Sequence, residues 1–213
     1  MTNAIAIQNE KYLEENPKST IVPAPGEPKI SREYRVAVYA IEDRLREDEP
    51  APGCGKSVLT DFFPLKHSFA EGVYQRELTV PKGMMLVTFL HRDSYFSWLV
   101  KGEATVFTEE GGKRVKGPLL ITSPRGAKRI AYAHEEFVWV TVHPNPTNST
   151  DIEWLESQIH ITEGGYEALD SIIDVGEDVD PDTIDVDRFF DNFIGQCMAV
   201  DRAKGGELCQ VQQ

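Results

Sequence analysis

His91, Asp93 and His143 bring together the residue types most suited to shared chemistry in this chain. Two neutral imidazoles and a carboxylate suit iron, manganese, nickel or zinc, and they leave coordination positions open for a substrate or oxygen. One residue separates His91 from Asp93, and His143 ends an alternating run, Phe137 to Val142. Other combinations fail at a required position. Gly53-Cys54-Gly55-Lys56-Ser57 carries the Gly-Lys-Ser of a phosphate loop, but Pro50 stands where the first glycine belongs. Asp178, Asp180 and Asp182 open like a calcium loop, yet Thr183 occupies the obligatory glycine position and Phe189 that of the bidentate glutamate. No Gly-x-Ser-x-Gly and no Cys/His pair at useful spacing supports a nucleophilic hydrolase.

Composition narrows the setting. A net charge of -13 disfavours nucleic acid, whose affinity comes mostly from Lys and Arg on phosphates. The acid is concentrated between Glu163 and Asp191, whereas Lys113, Arg114, Lys116, Arg125, Lys128 and Arg129 keep the middle of the chain balanced. No run of 18 apolar residues is present, so no membrane partner is expected. Met1 to Ala6 lacks the basic and apolar parts of a secretory signal. Cys54, Cys197 and Cys209 are odd in number and widely spaced, which suits a reducing, cytoplasmic location and leaves the Asn148-Ser149-Thr150 sequon idle.

The elements that must position these residues follow from periodicity and punctuation. Residues 1–30, with Pro23, Pro25, Gly26 and Pro28, read as an extended N-terminal arm. Residues 31–60 read as a helix and loop: Ser31 caps a helix over 32–47, and Val38, Ile41 and Leu45 form its apolar stripe. From 61 to 145 short alternating runs form strands at 74–80, 85–89, 95–100, 104–107, 119–122, 129–132 and 137–142. Strands at this spacing indicate a sandwich or a barrel. Residues 146–213 form an acidic, helical extension. Its helices fall at 151–161, capped by Thr150 or Ser149 and facing Ile152, Leu155 and Ile159 inward, then at 165–173 and 188–200.

Two glycine-marked blocks carry a family resemblance. Gly83, Phe89, His91, Tyr95 and Gly102 share the spacing of the cupin motif G-x5-H-x-H-x3-E-x6-G. After Gly117, Pro124-Arg125-Gly126-Ala127-Lys128-Arg129 resembles the P-x-G-x2-H portion of the second cupin motif. The segments 65–69, 72–77 and 139–143 are similar to those of small cupins of phage and bacterial genomes, and the likeness spans about Asp61 to Glu156. It implies a mainly β fold: a cupin-type jelly-roll barrel with flanking helices and the N-terminal arm.

On that frame the four usual ligand positions hold Phe89, His91, Tyr95 and Arg129, and only His91 is a metal-binding side chain. Three readings of the barrel interior stay open. His91, Asp93 and His143 could bind a divalent metal in a set similar to the two-histidine, one-carboxylate triad of non-haem iron oxygenases, although the registration leaves Asp93 at a strand end. Arg129, His91 and Tyr95 could instead hold a carboxylate or phosphate through charge-assisted hydrogen bonds. Or these side chains simply fill the barrel. The resemblance implies a single-domain cupin; the substituted ligand positions, the proline-bearing arm and the acidic extension favour a non-catalytic binding or assembly protein without a cofactor, such as a phage virion component. The alternative is a metal-dependent isomerase, lyase or oxygenase acting on a small acidic or sugar-like substrate. A homo-oligomer is expected in either case, with the arm and extension reaching neighbouring subunits.

Overall fold

A computed structural model describes residues 11–18, 31–47, 63–161, 184–189, 191, 192 and 195. The three cysteines, the phosphate-loop-like segment, most of the arm, the helix expected at 165–173 and the C-terminal tail lie outside the described residues. Within the arm, residues 11–15 are helical rather than extended. Lys11 and Glu15 pair at 3.9 Å one turn apart, and the turn stops before Pro17, which cannot donate to it.

Helix α1, Arg32–Glu47, begins where Ser31 Oγ accepts from the Tyr34 amide at 3.1 Å. Eleven strands and a second helix follow: β1 Leu65–Ala70, β2 Gly72–Val80, β3 Met85–Val87, β4 Leu90–His91, β5 Tyr95–Lys101, β6 Glu103–Thr108, β7 Gly111–Lys116, β8 Leu119–Ser123, β9 Ile130–Ala133, β10 Phe137–Asn145, α2 Ile152–Ile159 and β11 His160–Ile161. They form an antiparallel sheet of order β1-β2-β10-β5-β8, a facing sheet β3-β9-β6-β7, and a short pair β11-β4. The chain crosses between the two larger sheets at β2–β3, β5–β6, β7–β8, β8–β9 and β9–β10, and from β3 through β4 to β5, the wiring of a jelly roll.

Both faces of the second sheet are covered. Leu86, Val106, Ala131 and Ala133 point into the barrel with Leu99 and Phe137. Their neighbours Met85, Val87, Phe107 and Ile130 point outward and pack beneath Tyr34, Val38, Ile41 and Leu45 of α1. Burial on both sides explains why β3 is buried along its whole length instead of alternating. Polar groups fix the helix in place. The Tyr34 hydroxyl lies 2.8 Å from the Lys128 carbonyl and 3.1 Å from that of Phe107. Lys128, 3% exposed, meets Glu42 at 2.6 Å.

Several boundaries differ from the sequence expectations. Strand β3 ends at Val87, and two residues outside any strand precede Leu90–His91. Strand β7 follows Gly111 (φ +96°), where a separator alone was expected. The helix after β10 is capped by Asp151, whose side chain accepts from Trp154 N, and it ends at Ile159, two residues early. Asp185 likewise accepts from Arg188 N at 2.9 Å, so helical turns start at 186, within the stretch expected to be loop.

Candidate functional site

Strand β4 places His91. Its backbone amide donates to Ala127 O at 3.2 Å, and its carbonyl accepts from Gly126 N at 2.8 Å. The first glycine-marked block is therefore bonded to the turn of the second, where Gly126 adopts φ +71°. Thr88 makes the next connection: its amide donates to Arg129 O at 2.8 Å, and its hydroxyl accepts from Arg129 N at 2.9 Å. The two blocks thus converge on one space inside the barrel.

That space is a cavity of about 70 Å³. Phe89, His91, Tyr95 and Arg129, the four frame positions, all line it, together with Arg76 and Thr141. Leu78, Leu86, Val106, Phe137 and Trp139 supply an apolar wall. The barrel is a jelly roll whose glycine-marked blocks meet at this cavity.

No protein-family model and no curated protein matches this chain in sequence. Among solved structures, it is similar to a cupin domain from Bordetella pertussis at 20% identity and TM-score 0.33, covering 39% of this chain and 93% of that one. A cupin-2 domain protein from Shewanella frigidimarina matches at 10% identity and TM-score 0.33, over 38% and 80% of the two chains. Ectoine synthase from P. lautus matches at 14% identity and TM-score 0.36, over 47% and 79%.

The chemistry of the cupin cavity departs from metal binding. Phe89 has no donor atom, and Arg129 is a permanent cation. Asp93 is exposed in the bend before β5 and lines, with His143, a groove beside α2 that His91 does not line. The expected set of His91, Asp93 and His143 is therefore not assembled, because one residue past the strand end suffices to turn the carboxylate out of the barrel. His91 and His143 do meet, with ring centroids 5.7 Å apart and planes 10° apart. Their planes are nearly parallel. Among the described residues no group of three His, Cys, Asp or Glu could hold a metal ion. The described residues do not fit the metal that the cupin resemblance implies.

A third imidazole joins the cluster from outside the sequence-predicted set. His160 in β11 stands opposite His91 in β4, with the rings perpendicular at 4.9 Å, and it also stacks on Phe89 at 4.7 Å. Its Nε2 is buried without a hydrogen-bond partner. His91 Nδ1 lies 3.0 Å from Phe89 O and 3.4 Å from Ala127 O, so Nδ1 carries the proton and donates. Burial pushes all three histidines toward the neutral form: His91 well below its usual value, His143 to about 4 and His160 to about 3. The nearby Arg76 charge adds to the effect at His143 and His160.

The cavity's charge therefore resides on arginine. Arg129 Nη1 donates to Ser123 Oγ at 2.9 Å, and that oxygen lies 2.8 Å from Ser97 Oγ. No carboxylate among the described residues forms an ion pair with Arg129. Arg76 is 3.4 Å from Glu156 of α2 and sits over the Phe89 ring at 5.7 Å. Tyr95 lies flat on His91, with centroids 4.0 Å apart. Sequence reasoning found Arg129, His91 and Tyr95 but missed Arg76 and His160. Arg76 shares the inward face of β2 with Tyr74 and Leu78 at period two, a signal that was there to read. His160 was hidden inside an apparent helical repeat.

Proposed function

We propose that the protein is a non-catalytic, cupin-fold binding protein that holds a small organic carboxylate inside the barrel. The observation that carries this reading is Arg129. It takes the position of a cupin imidazole ligand, lines an apolar cavity and lacks a carboxylate partner among the described residues. A fixed guanidinium in a poorly hydrated space is a strong, directional carboxylate receptor, since charge-assisted bonds gain strength as the local dielectric falls. Tyr95 supplies a hydroxyl, His91 an uncharged ring, and Arg76 a second positive field. The cavity is smaller than the roughly 150 Å³ space that accepts benzene, which limits the ligand to a few heavy atoms.

Calorimetric titration with acetate, propionate, pyruvate and inorganic phosphate tests the reading. Saturable binding of at least one carboxylate is expected, weakened about tenfold or more in Arg129→Gln. No binding of any probe, or equal affinity in the variant, would overturn it.

A further inference from the structure

The groove beside α2 is a second space, of about 280 Å³, and it shares no lining residue with the barrel cavity. Residues 92–94 between β4 and β5, the end of β10 and one side of α2 frame it. Hydrogen bonds hold that frame. The Arg92 amide donates to the Ile159 carbonyl at 2.9 Å, tying the bend to the end of α2. The Asn145 side chain, 1% exposed, accepts from Ser149 N at 3.0 Å and donates to Ser149 O at 2.9 Å, which fixes the turn between β10 and α2. The groove is thus preformed, as small-molecule sites usually are.

Its polar side chains are not used by the fold. His143 is 5% exposed and packs against the rings of Tyr74, His91 and Tyr95, yet its imidazole makes no hydrogen bond among the described residues. Burial keeps that ring neutral at pH 7, so one nitrogen can donate and the other accept. Arg92 and Asp93 both line the groove, and neither side chain forms an ion pair or hydrogen bond among the described residues, not even with the other. Trp154 is 39% exposed and its ring touches no other ring among them. Pro144 and Pro146 add apolar surface.

We infer that this groove binds a free amino acid with a small apolar side chain. Its carboxylate pairs with Arg92, its ammonium with Asp93, and its side chain lies against Trp154 and the two prolines. A ring nitrogen of His143 bonds the polar end from below. The unlike charges select this class. A simple anion would meet Arg92 but be repelled by Asp93, a simple cation would meet the reverse, and an uncharged ligand would leave both unmatched. An ammonium held at Asp93 would also gain from the indole face of Trp154.

A nuclear magnetic resonance titration of the full chain, followed at the Trp154 indole N–H, reads the groove directly, because Trp154 does not line the barrel cavity. The probes are alanine, valine and proline, with propionate and propylamine as single-charge controls. Saturable shifts are expected with at least one amino acid, and binding about tenfold or more weaker for both controls. Arg92→Gln and Asp93→Asn, both at exposed positions, should each weaken amino-acid binding about tenfold or more. No saturable shift up to about 20 mM, equal binding of either control, or indifference to either substitution would overturn the inference. None of these results bears on a carboxylate held by Arg129 inside the barrel, so the two readings fail separately.

Discussion

His160 faces His91 across the β11–β4 pairing, the two rings perpendicular with centroids 4.9 Å apart. A strand of two residues, returning after a helix, thereby closes an imidazole cluster over the barrel cavity. With His143, the cluster brings together three buried imidazoles that burial holds neutral.

Stability should therefore fall on acidification. In the unfolded chain these histidines take up protons near pH 6.5, while in the fold His143 waits until about 4 and His160 until about 3. Between those limits the unfolded state binds more protons, so stability rises with pH and is lost as pH drops from about 6.5 toward 4. Urea unfolding at pH 7.5, 6, 5 and 4 should show a loss on the order of a few kcal/mol, and His160→Phe should flatten the slope. A flat profile in the parent protein would contradict the burial of these rings.

Arg129 is expected to trade stability for binding. A cation beside an apolar cavity with no carboxylate partner among the described residues costs free energy, so Arg129→Met should leave ligand-free stability unchanged or improve it by about 1 kcal/mol. The same variant should lose carboxylate affinity. Denaturant midpoints, measured with and without propionate, separate the two effects. A large destabilisation without ligand would mark Arg129 as a structural tie instead.

Lys128 and Glu42 should behave as one unit. Lys128→Met alone takes away the cation 2.6 Å from a buried carboxylate and should cost about 3–5 kcal/mol. The double variant with Glu42→Leu should recover most of that loss. Additive losses in a double-mutant cycle would show that the pair is uncoupled.

Two glycines with similar dihedrals should respond differently to alanine. Gly83 has φ +81° with open space around it, so Gly83→Ala should cost about 1–2 kcal/mol. Gly102 has φ +86°, and a Cβ there would run into the Glu136 carbonyl and Phe137, so Gly102→Ala should cost about 4 kcal/mol or more. Equal thermal shifts would contradict the close approach at Gly102.

The fold was legible because its punctuation is local. Ser31 before the stripe Val38, Ile41 and Leu45 announces α1, and the glycines at 83, 102 and 126 stand at positive-φ turns that no other residue type fills as easily. The interior positions followed from the same spacing, which is why Arg129, His91 and Tyr95 were found on one cavity. Pairing information is not local. Asp93 looked like a ligand because it lies two residues from His91, yet the strand ends between them and the side chain leaves the barrel. His160 meets His91 from 69 positions away, and nothing in either neighbourhood announces the contact.

That return strand redraws the minimal heritable unit of this protein. Residues 61–145 contain every strand of both large sheets, and a recombination or gene-fusion event could carry them off intact. The fragment would arrive with Leu90 stripped of Ile161, Arg76 without Glu156, and the carbonyls of Phe107 and Lys128 without the Tyr34 hydroxyl. Helix α1 and the α2–β11 segment must travel with the barrel for it to remain the same molecule.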